Sequence, residues 1–400
     1  MTMGNLSIAL LVWFAQPESY RQVRYLSLRM SGRFRDLPLL AGISPIILIK
    51  LTPFLPQRLR SLITLVIGLA GGVIATSISS PIPWLLGSLC ATALAGFSGM
   101  TLAPISKFTS RWLRVVIGVS LGMFVAESLG RFSTDHSVAV LLALGFTLLV
   151  TALGAWFFRR TLQLDQVDSF ISALPGGLSF LISLAGDLGQ RFPRIGFIHT
   201  VRVVVLVFGF SFLALKLGAS RPDLSISSSL HIEWHIQLLS LLAVILVSGW
   251  FADWVGVSGG HVIFGLMAST LAYKTGLMTQ PVPELLITIS MVGLGVLLGV
   301  ELFADKQTRY ARLAVASVVF TLGAMAIAGF IAWSVSGTMG TGFLLYLLAL
   351  APGGIAEISL ITLALGLDVG LVAMAHACRF FLIMVIGPIG MNYFIKRSQR

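Results

Sequence analysis

Long apolar segments, separated by short clusters of charged residues, run through most of this chain. Only 10% of its 400 residues are charged, whereas an ordinary soluble domain carries about 25%. Most of the apolar runs approach the ~20 residues that a helix needs to cross a bilayer core of ~30 Å. Because lipid cannot bond to backbone N–H and C=O groups, runs of this length must satisfy them internally as helices. The pattern predicts an all-α polytopic membrane protein whose first partner is the lipid bilayer.

The net charge of +12 would suggest a nucleic-acid partner in a soluble protein. In a membrane protein Lys and Arg collect in cytoplasmic loops, where they set the orientation of the chain. No basic helix on a soluble core is evident here, so we expect no nucleic-acid partner. Cys90 and Cys378 both lie in apolar segments, which predicts neither a disulfide framework nor a metal site.

One sequence pattern occurs twice, at an offset of 177 residues, the distance from Pro175 to Pro352. The segment "ALPGGLSFLISL" begins at Ala173 and "LAPGGIAEISLI" begins at Leu350. In the same register His199 matches His376 and Arg202 matches Arg379, and the GxxxG pairs Gly118/Gly122 and Gly295/Gly299, which favour close helix packing, also match. The pattern predicts two homologous repeats of about five to six transmembrane segments, each with a Pro-Gly-Gly broken helix.

These features divide the chain into four regions. Residues 1–60 hold eight of the 27 Lys and Arg and no clear span, which predicts an Arg-rich cytoplasmic or interfacial extension. Residues 61–217 form the first repeat, 218–235 a linker, and 236–396 the second repeat. Six apolar segments fall in each repeat, near 62–79, 82–99, 112–128, 137–158, 168–187 and 195–217, and near 236–256, 260–275, 285–303, 313–335, 343–366 and 369–394.

The distribution of basic residues predicts the orientation. If all twelve segments cross and the N-terminus is cytoplasmic, nineteen Lys and Arg lie inside and six outside. The exception is the loop with Lys306, Arg309 and Arg312, which this arrangement places outside. If a short segment such as "SGGHVIFGLMASTLAY" is re-entrant, each half crosses an odd number of times and the halves are inverted. Both topologies stay open, in a protein of the inner (plasma) membrane.

The two Pro-Gly-Gly sequences predict points where a helix unwinds. Proline lacks an N–H, and glycine leaves helical geometry at little cost. A half-helix that starts after such a break directs free N–H groups into a polar cavity, where it can bind an ion. The alternative is a simple kink that packs against a neighbouring helix. We favour a binding site, formed by Pro175, Gly176, Gly177, Pro352, Gly353 and Gly354.

Ionisable side chains follow these breaks. Glu357 could bind a cation, carry a proton, or cap free N–H groups at the start of a helix. Arg379 and Arg202 could clamp an anion or pair with Glu357 or Asp368, or their guanidinium groups could extend to the membrane interface. His376 and His199, three residues before each arginine, could titrate near neutral pH or be satisfied core residues.

From Leu62 to about Lys396 the chain resembles the membrane AbrB family. The resemblance rests on "SSPIPWLLGSL", on "VVIGVSLG", and on a Pro-Gly-Gly segment followed by His and Arg, present in both halves. Family members are labelled ammonia monooxygenases or regulators of gene expression. The family also looks like a distant relative of transporters built from two repeats with broken helices.

The sequence leaves three candidate functions. We expect a secondary transporter of a small ionic solute, coupled to H⁺ or Na⁺, with homo-oligomerisation left open. The alternative is a membrane-bound regulator that acts on gene expression indirectly. A copper monooxygenase needs a dense cluster of metal ligands, and the six histidines are scattered. We therefore expect no enzyme activity, no cofactor and no metal site.

Metal analysis of the purified protein tests this expectation directly. We predict no stoichiometric copper or iron, because the histidines do not supply a ligand set. About one equivalent of tightly bound copper, lost when His376 is replaced, would contradict the prediction.

Overall fold

A computed structural model describes residues 55–77, 80, 82–176, 192–216, 233–256, 260–302, 310–339 and 342–398. Within these residues the secondary structure consists of thirteen helices and no strand, as predicted for an all-α protein. The helices are α1 Gln57–Ser77, α2 Pro83–Phe97, α3 Lys107–Gly130, α4 Thr134–Leu162, α5 Gln166–Ala173, α6 Phe192–Lys216, α7 Glu233–Val255, α8 Gly260–Lys274, α9 Glu284–Glu301, α10 Tyr310–Met339, α11 Phe343–Leu350, α12 Ile355–Ala364 and α13 Val369–Ser398.

Eight of the described helices are long and apolar enough to cross a membrane: α1, α3, α4, α6, α7, α9, α10 and α13. Large apolar side chains cover their outer surfaces, and examples include Trp156, Trp250 and Trp333, each more than 60% exposed. A soluble protein does not expose apolar surface on this scale. The chain is therefore a multi-pass membrane protein. Of the predicted extension only residues 55–60 are described, and its separate domain status stays a prediction.

Close contacts at glycines join helices from the two halves of the chain. A Cβ atom at Gly118 on α3 would overlap the carbonyl of Val262 on α8, and one at Gly122 would overlap Ser269. The residue numbers rise together in the two helices, so α3 and α8 run parallel. The corresponding contacts, from Gly295 and Gly299 on α9 to α2, recur 177 residues away in the chain. Each half thus packs its glycine-containing helix against the short helix of the other half.

Helices α4 and α10 run antiparallel. The Arg312 guanidinium, near the start of α10, donates a hydrogen bond of 2.6 Å to the carbonyl of Thr161 at the end of α4. Further along, the ring of Phe320 lies against Gly154 and packs at a tilt against Phe158, with centroids 4.9 Å apart. The end of α4 and the start of α10 therefore lie at the same end of the helical bundle.

These contacts do not fit twelve crossings. With twelve crossings, α3 and α8 would point in opposite directions, and Thr161 and Arg312 would lie on opposite sides. In the structure α3 and α8 instead point in the same direction, and Thr161 and Arg312 lie on the same side. The contacts instead require that one apolar segment between α3 and α8 does not cross, and the bonds of the broken segments, described next, show which segments return. The short helix α8, which the sequence suggested as a re-entrant segment, lies parallel to α3.

Each broken segment enters the helical bundle and leaves it at the same end. His376 and Arg379 on α13 bond to the carbonyls of Leu348 and Ala351, so α11 and α13 run parallel and start together. The matching bonds show that α5 and α6 also start together. Helix α5 follows the end of α4, whereas α11 follows the end of α10, at the opposite end of the bundle. If the 15-residue helices α2 and α8 cross together with the eight long helices, the structure favours ten crossings, five in each half, with the halves inverted.

Cysteine accessibility tests this topology. We expect single cysteines at Arg160 and Ala311, in a protein whose Cys90 and Cys378 are replaced by alanine, to react from the same side of the membrane. A cysteine at Arg131, which follows α3, should react from the other side. Labelling of Arg160→Cys and Ala311→Cys from opposite sides would restore the twelve-crossing topology.

Candidate functional site

The second Pro-Gly-Gly sequence separates two short helices. Helix α11 ends at Leu350 and α12 begins at Ile355, with Gly354 in an extended conformation between them. Pro352 cannot donate to a preceding carbonyl, so the chain leaves helical geometry at this point. The last carbonyls of α11 lose their regular helical donors, and from the backbone Leu348 accepts at 3.2 Å from the Ala351 N–H and Ala351 accepts at 2.8 Å from the Gly353 N–H. In a membrane the remaining acceptor capacity must be filled by other protein groups.

Two side chains of α13 supply the missing donors. The Arg379 guanidinium donates to the carbonyls of Ala351 and Gly353, both at 2.6 Å. The His376 ring lies 3.0 Å from the Leu348 carbonyl through Nε2 and 2.7 Å from an Nη2 nitrogen of Arg379 through Nδ1. Arg379 is only 2% exposed, so its guanidinium does not extend to the membrane interface.

This geometry fixes the state of the histidine. A guanidinium has no acceptor, so Nδ1 of His376 must accept the hydrogen bond from Arg379. A carbonyl cannot donate, so Nε2 must carry the ring proton and donate to Leu348. The ring is therefore the neutral Nε2–H tautomer. Of the two roles predicted for His376, the contacts fit that of a satisfied core residue. Arg379 was a predicted partner of Glu357 or Asp368, and in the structure its hydrogen-bond partners are instead backbone carbonyls and His376.

Three of these four bonds recur in the first half. His199 lies 3.0 Å from the carbonyl of Ile171 through Nε2, and Arg202 donates at 2.9 Å to the carbonyl of Leu174. An Nη2 nitrogen of Arg202 lies 2.6 Å from Nδ1 of His199. Each residue is 177 positions before its counterpart. Pro175 is buried and Gly176 half-buried, while Gly177 lies outside the described residues.

Glu357 lies in the first turn of α12. Its carboxylate folds back over Gly354, where an added Cβ atom would overlap Oε2. It also accepts a hydrogen bond from its own backbone N–H. A negative charge at this position is stabilised by the positive end of the half-helix dipole. The capping role therefore fits the contacts, and it requires glycine at position 354.

Both breaks line one cavity, with a volume of about 90 Å³. Pro175 and Gly176 come from the first break, and residues 353–357 come from the second. A buried water needs about 10–15 Å³ of such space, so the cavity can hold several waters or one small solute. The side chains of Glu357, His376 and Arg379 also line it. The cavity thus brings together residues that the sequence pattern singled out separately.

Two further charged residues line the cavity, and the sequence reasoning missed both. Arg114 lies on α3 and Glu301 is the last residue of α9. Counting charges by segment placed Arg114 in a loop, although it lies about two turns inside α3. Arg114 could have been recognised from its position inside an apolar segment, because an ionisable residue within a span is a functional candidate.

The charges in the cavity are balanced. The Arg114 guanidinium interacts electrostatically with the carboxylates of Glu301 and Glu357. The hydroxyl oxygen of Thr200 on α6 lies 3.4 Å from Oε2 of Glu301. These side chains come from α3, α6, α9 and α12, so both halves contribute charged or polar groups to the cavity.

Asp368, a predicted partner for an arginine, lies elsewhere. It caps the start of α13 by accepting from the Leu371 N–H at 2.9 Å and from the Ser128 hydroxyl at 2.7 Å. In the part of the chain that the structure describes, no group of three or more potential metal ligands comes together.

The fold and the site define a polytopic helical membrane protein in which two broken segments enclose a small charged cavity. Residues 84–395 match the family described as "Transition state regulatory protein AbrB". The chain belongs to this AbrB family, which confirms the resemblance seen in the sequence.

Two relatives cover most of the chain. "Uncharacterized protein YhjN" of Bacillus subtilis (strain 168) is 25% identical over 359 residues, which are 82% of this chain and 92% of the relative. "Putative regulator AbrB" of Escherichia coli (strain K12) is 25% identical over 317 residues, which are 77% of this chain and 88% of the relative.

The role of Arg379 predicts a loss of stability. A lysine at position 379 keeps the charge but cannot reach both carbonyls and the histidine together. We expect Arg379→Lys to lower the thermal midpoint in detergent by roughly 5–10 °C, because one or two hydrogen bonds to a charged group are lost. The matched control is Arg131→Lys, since Arg131 forms an exposed pair with Glu127. Equal midpoints for the two variants would show that the bonds to the break do not stabilise the fold.

Proposed function

We propose that this protein is a secondary transporter of a small ion or organic solute, coupled to H⁺ or Na⁺. The observation that carries the proposal is the cavity at which two broken segments, entering from opposite ends of the bundle, meet four charged side chains. Irregular backbone inside a membrane is tolerated where it is buried or lines a polar cavity. Discontinuous helices of inverted repeats form the solute and ion sites of many secondary transporters.

The packing supports two structural groups with different roles. Glycine contacts join α3 to α8 and α9 to α2 at backbone distance, which favours a rigid scaffold. Hydrogen bonds from one arginine and one histidine each hold the broken segments to α6 and α13. The start of α13 is also joined to the scaffold, because Gly370 lies against the Phe124 carbonyl of α3. We infer that alternating access moves the broken segments, with α6 and the rest of α13, against that scaffold.

The orientation also belongs to the proposal. With ten crossings, twenty Lys and Arg lie at the end where α1 begins, four lie at the other end, and three lie inside helices. The loop with Lys306, Arg309 and Arg312 then lies at the end that carries the twenty basic residues. It is therefore no longer an exception, as it was with twelve crossings. By the positive-inside rule, a multi-pass protein of the inner membrane would have its N-terminus in the cytoplasm.

A second candidate function is indirect regulation of gene expression. It is favoured by the printed name of the Escherichia coli relative. If the protein is a transporter, its effect on gene expression depends on the transported solute. A variant that cannot transport the solute would then have no effect on gene expression. A regulatory effect that persists in a transport-deficient variant would favour a direct role. The proposal includes no enzyme activity.

Uptake into proteoliposomes tests the transport proposal. Organic acids, amino acids and ammonium are first screened for stabilisation of the purified protein, and each one that binds is then tested under an imposed pH or Na⁺ gradient. We expect gradient-driven uptake in the wild type and its loss in Glu357→Gln, because the negative charge at the start of α12 is removed. The control is Glu284→Gln at the exposed start of α9. Failure to take up any solute that binds would argue against a transporter.

A further inference from the structure

The charged groups of the cavity differ in how firmly they are held. Arg379 is bonded to two carbonyls of the break and to His376, which is neutral. Glu357 is held at the start of α12. Arg202, beside the cavity, is bonded through Nη2 to Leu174 and His199, while its Nε and Nη1 have no partner within the described residues. These groups are committed to the fold.

Arg114 and Glu301 are the two charged groups that are not committed in this way. The attraction between Arg114 and the carboxylates acts through space, and within the described residues no hydrogen bond holds its guanidinium. Both side chains are half-buried because they face the cavity. A guanidinium that faces a cavity without such a bond is available to a ligand.

The Thr200 hydroxyl suits a carboxyl group that gains and loses a proton. It has one hydrogen, and it lies 3.0 Å from the Gly196 carbonyl and 3.4 Å from Oε2 of Glu301. When the hydrogen points to Gly196, the hydroxyl oxygen can accept from a protonated Glu301. When it points to Glu301, it can donate to the ionised carboxylate. Thr200 can therefore bond to either form of Glu301.

We propose that the cavity binds a small monocarboxylate at Arg114 together with one proton on Glu301. This inference rests on the proposed transport function and names its solute and its coupling ion. The proton comes from solvent on the open side of the membrane and bonds to a carboxylate oxygen of Glu301. No other bond is formed or broken.

Charge balance couples the two binding events. Without ligand, Arg114 and Arg379 face Glu301 and Glu357, two charges of each sign. A bound monocarboxylate and a proton on Glu301 add one charge of each sign and keep the cavity neutral. Either one alone leaves a net charge among apolar groups, which is costly inside a membrane. One proton should therefore accompany each anion.

The chemistry of the cavity wall favours an anion over a cation. Two guanidinium groups, those of Arg114 and Arg379, line the cavity, and that of Arg114 has no hydrogen bond within the described residues. The planar guanidinium matches the two oxygens of a carboxylate. The rest of the wall includes Val203, Leu294 and Phe380, which suit a short hydrocarbon tail. The cavity of about 90 Å³ restricts the ligand to a few heavy atoms.

Calorimetry with three probes of similar shape tests the inference. Propionate, propionamide and propylammonium are titrated at millimolar concentrations into the purified full-length protein at about pH 7. Each titration is repeated in two buffers that differ in protonation enthalpy. We expect propionate alone to bind, with uptake of about one proton per anion, since linkage requires the bound proton to appear in the buffer dependence.

Variants assign the two roles. Arg114→Gln should weaken propionate binding about tenfold to a hundredfold, the usual effect of removing a charged hydrogen-bonding partner. Its control is Arg111→Gln, one turn earlier on α3, where the side chain pairs with Asp253 outside the cavity. The nearly isosteric Glu301→Gln should still bind propionate but take up almost no proton. Its control, Glu284→Gln on the same helix, should behave as wild type.

Each other outcome has a defined meaning. Binding of propylammonium without propionate would overturn the anion site while leaving a cation transporter intact. Propionate binding without proton uptake, or unchanged uptake in Glu301→Gln, would overturn the role of Glu301. Binding of none of the probes would overturn the assigned solute class. If propionate binds with its proton but is not carried into proteoliposomes, the site stands and the transport function fails. Should Arg114→Gln not fold, the comparison of the three probes on wild type decides the charge of the ligand.

Discussion

Hydrogen bonds from an arginine and a histidine to the end of an interrupted helix are the interaction on which the centre of this structure depends. A break in a transmembrane segment leaves carbonyl oxygens that lipid cannot satisfy. Arg379 and His376 donate to three carbonyls at the break, two of which also accept a backbone N–H, and the histidine in turn occupies one further donor of the arginine. The buried positive charge is offset by the negative end of the half-helix that it caps. The break and the buried arginine thus stabilise each other.

The same bonds fix the direction of the chain. Because the arginine and histidine reach back to a helix that runs parallel to their own, the broken segment must return to the end at which it entered. This occurs once from each end of the bundle, and the two breaks meet at the cavity. A polar interior site is then enclosed by elements that approach from both sides of the membrane, which is the geometry that alternating access requires.

Much of the fold could be predicted from the sequence, because lipid imposes strong and local constraints. Membrane class, helical content, the glycine contacts and the chain break at Pro352 follow from residue type and spacing. The number of crossings could not be predicted, since an apolar segment of twenty residues can cross or return, and only contacts such as Arg312 to Thr161 distinguish the two.

The site was predicted in part. Arg379 and His376 were found, but their partners are backbone carbonyls, which carry no sequence signal. Arg114 and Glu301 have no ionisable counterparts in the other half, because Met291 and Phe124 occupy the matched positions, so a search for repeated residues could not find them.

The exchanged glycine contacts have a consequence for how the protein is made. The surface of α3 around Gly118 and Gly122 is shaped to receive α8, which the ribosome adds more than a hundred residues later. Until then the groove on α3 must be filled by lipid or by an insertion factor. In the same way, the surface of α2 that contacts α9 has no partner helix until α9 has been synthesised. The first half can therefore enter the membrane segment by segment, but its helices reach their final packing only when the second half has been synthesised. A nascent chain stalled between α6 and α7 would therefore be inserted in the membrane with both of these interfaces still without their partner helices.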